Sequence, residues 1–97
     1  MTWSMNLAWQ IEFTETSLKQ LKKIDKTIAK RLISFIKDRI AAQDDPRVLG
    51  KALQGKTLGL YWRYRMGDYR IICNIQDEKL IILVVEIGHR KNIYLGH

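Results

Sequence analysis

With 97 residues, 46% of them apolar and 28% charged, the chain has material for one hydrophobic core and one domain, residues 1–97, and too little for two. Its single cysteine, Cys73, excludes a disulfide framework, and its longest apolar run, Leu80 to Val85, falls far short of the roughly 20 residues that cross a bilayer. The 17 basic and 10 acidic residues leave a net charge of +7, an excess that commonly accompanies a polyanion: nucleic acid first, an acidic protein second, a membrane surface third.

Residues 1–5 read as a loose leader, with Met5 a candidate start. From Leu7 to Phe13 apolar and polar residues alternate, which predicts a half-buried strand. Thr14 is placed to cap a short helix carrying Leu18 and Leu21, and Asp25 a longer one. In the second, Ile28, Leu32, Phe35, Ile36 and Ile40 make one apolar face, and the helix should end near Ala42, ahead of Asp44–Asp45–Pro46. Arg47 to Gly59 is loop-like. Leu60 to Met66 alternates again, Gly67–Asp68 signals a tight turn, and Tyr69 to Ile75 reads as its partner strand. After Gln76–Lys79, Leu80 to Ile87 is apolar enough to be a central strand. The expected fold is α+β, in the order β-α-α-β-β-β. A helical hairpin covers one face of an antiparallel sheet, and residues 88–97 form a functional tail.

Alternation puts Leu60, Trp62, Tyr64 and Met66 on one side and Tyr61, Arg63 and Arg65 on the other. A tight turn brings Arg70 opposite Arg65. His89 and Arg90 follow the last strand, and Tyr94 lies in the tail. Like charges facing one another on a sheet are unfavourable, and a bound anion relieves them. Arginine suits phosphate because its planar fork donates two parallel hydrogen bonds. Tyr61 and Tyr94 offer rings on which bases stack. The competing reading is a merely solubilising strand face, with the helix lysines as a solvated surface.

Two histidines and one cysteine give no metal-ligand spacing, and no glycine-rich phosphate loop joins a strand to a helix. No nucleophile elbow surrounds a serine, and no carboxylate pair stands out. Neither metal nor cofactor is expected. The N-terminus lacks a basic region and is interrupted by Asn6, Gln10 and Glu12, so a signal peptide is not expected and the cytoplasm is the predicted location.

The runs LYWRYRMGDYRIICNI and IILVVEIGHRKNIY, the helix start Ile24–Asp25–Lys26 and the segment from Gly50 to Gly55 together resemble the RelE/ParE superfamily of small toxins, over roughly residues 6 to 94. The resemblance implies the β-α-α-β-β-β RelE-like fold and the toxin of a type II toxin–antitoxin pair, bound by a cognate antitoxin as a hetero-oligomer. It implies a metal-independent endoribonuclease that cuts mRNA on the ribosome by attack of a ribose 2′-hydroxyl on the adjacent phosphate, and so inhibits translation. In that frame Arg70 contacts the scissile phosphate, Arg90 and Tyr94 match family positions in the tail, and Arg63 and Arg65 hold neighbouring phosphates. Where some members carry a lysine this chain has Tyr61, and its tail from Gly88 to Tyr94 is shorter. Tyr94, His89 and His97 therefore stand as alternative candidates for the general base. Two other functions remain open: a ParE-like DNA gyrase inhibitor, and a non-catalytic basic RNA-binding module.

Overall fold

The structure, a computed structural model, describes residues 9–53 and 61–89. Strand β1 (Gln10–Phe13) leads into α1 (Glu15–Lys23) and α2 (Lys26–Phe35). A two-residue strand β2 (Lys51–Ala52) follows, then β3 (Tyr61–Met66), β4 (Tyr69–Gln76) and β5 (Ile81–His89). The strands form one sheet in the order β1-β5-β4-β3-β2. The α+β class and the antiparallel meander of the last three strands are as the sequence predicts. The sheet is nevertheless mixed, because β1 pairs with β5 in parallel, Gln10 beside Ile81 through Phe13 beside Val84.

Both predicted caps are present. The Thr14 hydroxyl accepts from the Ser17 amide at 3.1 Å, and the Asp25 carboxylate from the Thr27 amide at 3.0 Å. The second helix differs from expectation at its end. After Phe35 it widens into a π turn, Ile36–Ile40, in which the Ala41 amide donates to the Ile36 carbonyl at 2.8 Å. Residues four apart overshoot a helix of 3.6 residues per turn, and the wider turn offsets that drift. Leu32, Ile36 and Ile40 are thereby all buried. They cluster with Tyr64, Ile71, Cys73, Ile75, Ile82, Val84 and Ile87 from one side of the sheet. Burial pushes the Cys73 thiol up, so it behaves as a small hydrophobe.

Strand β5 is central, as its composition predicts, and it outlasts β1. Beyond that strand its edge is met by α1 instead. The Ser17 hydroxyl donates to the Val84 carbonyl at 2.8 Å, the Thr14 hydroxyl to the Val85 carbonyl at 3.2 Å, and the Ile87 amide to Gln20 Oε1 at 2.7 Å. These side chains satisfy backbone groups that a neighbouring strand would otherwise pair.

The stretch predicted as loop is more ordered than its glycines suggest. Pro46–Leu49 forms a 3₁₀ turn, fastened to β3 by the Tyr64 hydroxyl, which donates to the Pro46 carbonyl at 2.7 Å. A Cβ on Gly50 would lie 2.8 Å from the Tyr64 ring, so the close approach of this segment requires glycine. Arg47 pairs with Asp45 at 3.1 Å and with Asp77, and lies 5.9 Å from the centre of the Trp62 ring. Tyr64→Phe leaves a buried carbonyl without its donor. It should destabilise the domain by about 1–3 kcal/mol, read as a lower midpoint of urea unfolding with an unchanged slope.

Candidate active site

The β3–β4 hairpin fixes the geometry. Met66 pairs with Tyr69 across the two residues Gly67 and Asp68, and Gly67 takes φ +59°. Glycine at the first central position is what a II′ turn demands, and this turn twists with its strands. Its register makes Arg65 and Arg70 direct cross-strand partners, Arg63 a partner of Ile72, and Tyr61 of Asn74. On the other flank Lys51 of β2 sits opposite Arg63. Four cations, Lys51, Arg63, Arg65 and Arg70, thus share one sheet face across three adjacent strands. It is the face turned away from the core, since Tyr64, Ile71 and Cys73 alternate with them into the core cluster.

The cations are not equally placed. Arg65 is exposed and donates from Nε to the Gly67 carbonyl at 3.3 Å. Arg70 is half-buried, and its Nε is shielded from water. Directly opposite it on β5 is Gly88, which contributes no side chain to that face. Ile72, only 1% exposed, makes an apolar floor between Arg63 on one side and Glu86 on the other.

Glu86 reaches that face through an irregularity in β5. Ile72 pairs with Glu86, but the next residue, Cys73, pairs with Val84, so Val85 is an extra residue in β5. Strict alternation would send Glu86 to the same side as Ile82 and Val84. The bulge resets the phase, so that Ile87 joins the core at 1% exposure and Glu86 and Gly88 turn outward beside Arg70.

The predicted site residues therefore separate. Arg70, Arg63, Arg65 and the half-buried Tyr61 come together. His89 does not join them. It pairs with Tyr69, whose ring it meets edge-on at 5.7 Å and 77°, and strand alternation carries both to the side of Ile71 and Ile87. Arg90, Tyr94 and His97 lie outside the described residues, as does the leader with Met5. Lys51 and Glu86 are additions to the predicted set. Among the described residues, no three His, Cys, Asp or Glu side chains come together as metal ligands. What the face offers is fixed positive charge beside one carboxylate, an arrangement suited to holding and polarising phosphate.

The family model of the ParE toxin of the type II toxin–antitoxin system parDE matches residues 11–94. The chain belongs to that family. A RelE-like toxin protein of Escherichia coli is 31% identical over 88% of this chain and 86% of its own length. The mRNA interferase toxin RelE of Escherichia coli K12 is 26% identical with the same two coverages. The crystal structure of the toxin–antitoxin complex RelBE2 from Mycobacterium tuberculosis superposes with a TM-score of 0.76, at 24% identity, over 88% of this chain and 94% of that one. This ParE-family chain therefore shares the RelE toxin fold. Among its described residues no helix is long and apolar enough to cross a membrane.

Proposed function

We propose that this ParE-family toxin is an mRNA interferase, a cytoplasmic endoribonuclease that cleaves mRNA on the ribosome and is held inactive by a cognate antitoxin. The observation that carries this reading is the register pairing of Arg65 with Arg70 on the sheet face turned away from the core cluster, beside a glycine. Two directly opposed guanidinium groups concentrate positive charge, which a bound anion stabilises. Arg70 then sits where its fork can bind a phosphate and stabilise charge growing on the phosphoryl oxygens. Arg63, Arg65 and Lys51 hold flanking phosphates, and Tyr61 offers a ring for a neighbouring base. The reaction is attack of a 2′-hydroxyl on the adjacent phosphorus, with orientation supplied largely by the ribosome. Arg90 and Tyr94 are assigned supporting roles by resemblance alone. The relative named mRNA interferase RelE supports the activity, and the solved toxin–antitoxin complexes of the same fold support the partner.

The test is to incubate the purified protein with translating ribosomes and a defined mRNA and to map new 5′ ends. Cuts clustered in the decoding site establish the activity. A second reading, inhibition of DNA gyrase, is favoured by the ParE family model. Intact mRNA together with gyrase-dependent DNA breaks would decide for it. Salt-sensitive RNA binding with neither activity would leave a binding module.

A further inference from the structure

The reaction proposed above needs a group that accepts the proton of the attacking 2′-hydroxyl. The arginines of the cationic face cannot, because a guanidinium with a pKa above roughly 12 does not give up its own proton near neutrality. His89 lies across the sheet from Arg70. Among the described residues, the carboxylate that the register brings next to Arg70 on its own face is Glu86. Arg70 faces Gly88, and Glu86 is two residues along the same strand, the diagonal neighbour, at a Cα separation on the order of 7–8 Å, which long side chains span. The next carboxylate on that face, Glu12, is on β1 opposite Leu83, with the whole of β5 between it and β4.

We infer that Glu86 is the general base of this site. The inference rests on the endoribonuclease reading and names the residue that starts its chemistry. A phosphate held by the Arg70 fork lies beside Gly88, which contributes no side chain to that face, and the ribose on its 3′-oxygen side then falls beside the Glu86 carboxylate. The carboxylate takes the 2′-hydroxyl proton as the 2′-oxygen bonds to phosphorus. The bond from phosphorus to the 5′-oxygen breaks, and its electron pair stays with that oxygen, which takes a proton from water. The products are a 2′,3′-cyclic phosphate and a 5′-hydroxyl end, and Glu86 returns its proton to solvent. The charged groups on the described face around Glu86 are Arg70 on β4, Arg63 and Arg65 on β3 and, farther out, Lys51 on β2. Thr14, which caps α1, and Gln20 within it meet β5 at its backbone.

The bulge gives the inference its structural reason. A regular β5 would aim Glu86 into the core, where an ionised carboxylate is strongly disfavoured. The extra residue Val85 instead delivers it to the phosphate-binding face.

The test is single-turnover cleavage on programmed ribosomes across a pH series from mildly acidic to mildly alkaline. The parent protein is compared with Glu86→Gln, Glu86→Asp and Glu86→Ala, and ribosome binding is measured in parallel by co-sedimentation. Glu86→Gln should lose about 10²–10⁴-fold in rate and flatten the acidic limb of the profile, with binding unchanged or tighter. Glu86→Asp should recover part of the rate, and added formate should partly rescue Glu86→Ala. A Glu86→Gln protein with the parent's rate overturns the assignment, and so does one that is slower but keeps the parent's acidic limb. In both cases the endoribonuclease reading survives, because the parent still cuts. Absence of cleavage by the parent overturns both.

Discussion

Arg70→Ala is expected to slow mRNA cleavage by about 10²–10³-fold without weakening the fold, the range seen when a single preorganised donor to a developing oxyanion is removed. Arg70 is half-buried against the sheet, directly opposite Arg65 and Gly88, so its guanidinium is held before substrate arrives. Preorganisation of this kind is lost altogether in alanine and only partly kept in lysine, which retains the charge but not the planar fork. Arg70→Lys should therefore fall between the two. Arg70 lies on the sheet face turned away from the core cluster, so the thermal midpoint should change little. Arg65→Ala is the matched control. Arg65 is exposed, and its loss should weaken binding and its salt dependence more than the chemical rate. Full activity in Arg70→Ala, with circular dichroism like the parent's, would remove this residue from the mechanism.

The largest effect on stability is expected from Ile82→Ala. Ile82 is completely buried in β5, with Ile11 of β1 and Ile75 of β4 as its cross-strand neighbours. Truncating it leaves a cavity in the middle of the sheet where backbone pairing on both sides limits collapse, and costs about 2–5 kcal/mol. A domain of this size has a total stability of about 5–15 kcal/mol. The thermal midpoint should fall by roughly 8–40 °C, at about 4–8 °C per kcal/mol. Leu83→Ala, one residue on and facing the less covered side, should cost much less. Equal losses at the two positions would mean that the outer face is packed as tightly as the core.

The elements that could be read from the residues are those whose periodicity is unbroken. The alternation in Tyr61 to Met66 assigned Tyr64 to the core and Arg63 and Arg65 to the other side, and the Gly67–Asp68 turn set Arg65 against Arg70. These are local rules, and the strand register obeys them. The parallel placement of β1 beside β5 could not be read, because it depends on where the helices carry the chain. Lys51 was missed because a two-residue strand has no period to detect. Glu86 was missed for a sharper reason. In the apolar run Ile81 to Ile87 one inserted residue changes the side of everything after it, and nothing in the composition marks Val85 as that residue. The same shift separates His89 from Arg70, although the two looked equally near the end of the sheet.

The pairing of β1 with β5 has a consequence for the birth of the molecule. Residues 10–13 find their ladder partners at residues 81–84, and the hydroxyls of Thr14 and Ser17 find theirs at Val85 and Val84. The first strand and helix of a nascent chain therefore have nothing to close upon until residues 81–85 have been made. The strand that arrives last also carries Glu86 and Gly88, which complete the face around Arg70. A chain whose synthesis has not reached β5 has Arg63, Arg65 and Arg70 but only part of the proposed site. The proposed site is complete only once β5 has been made and has paired, so the topology ties the onset of toxicity to the arrival of that strand.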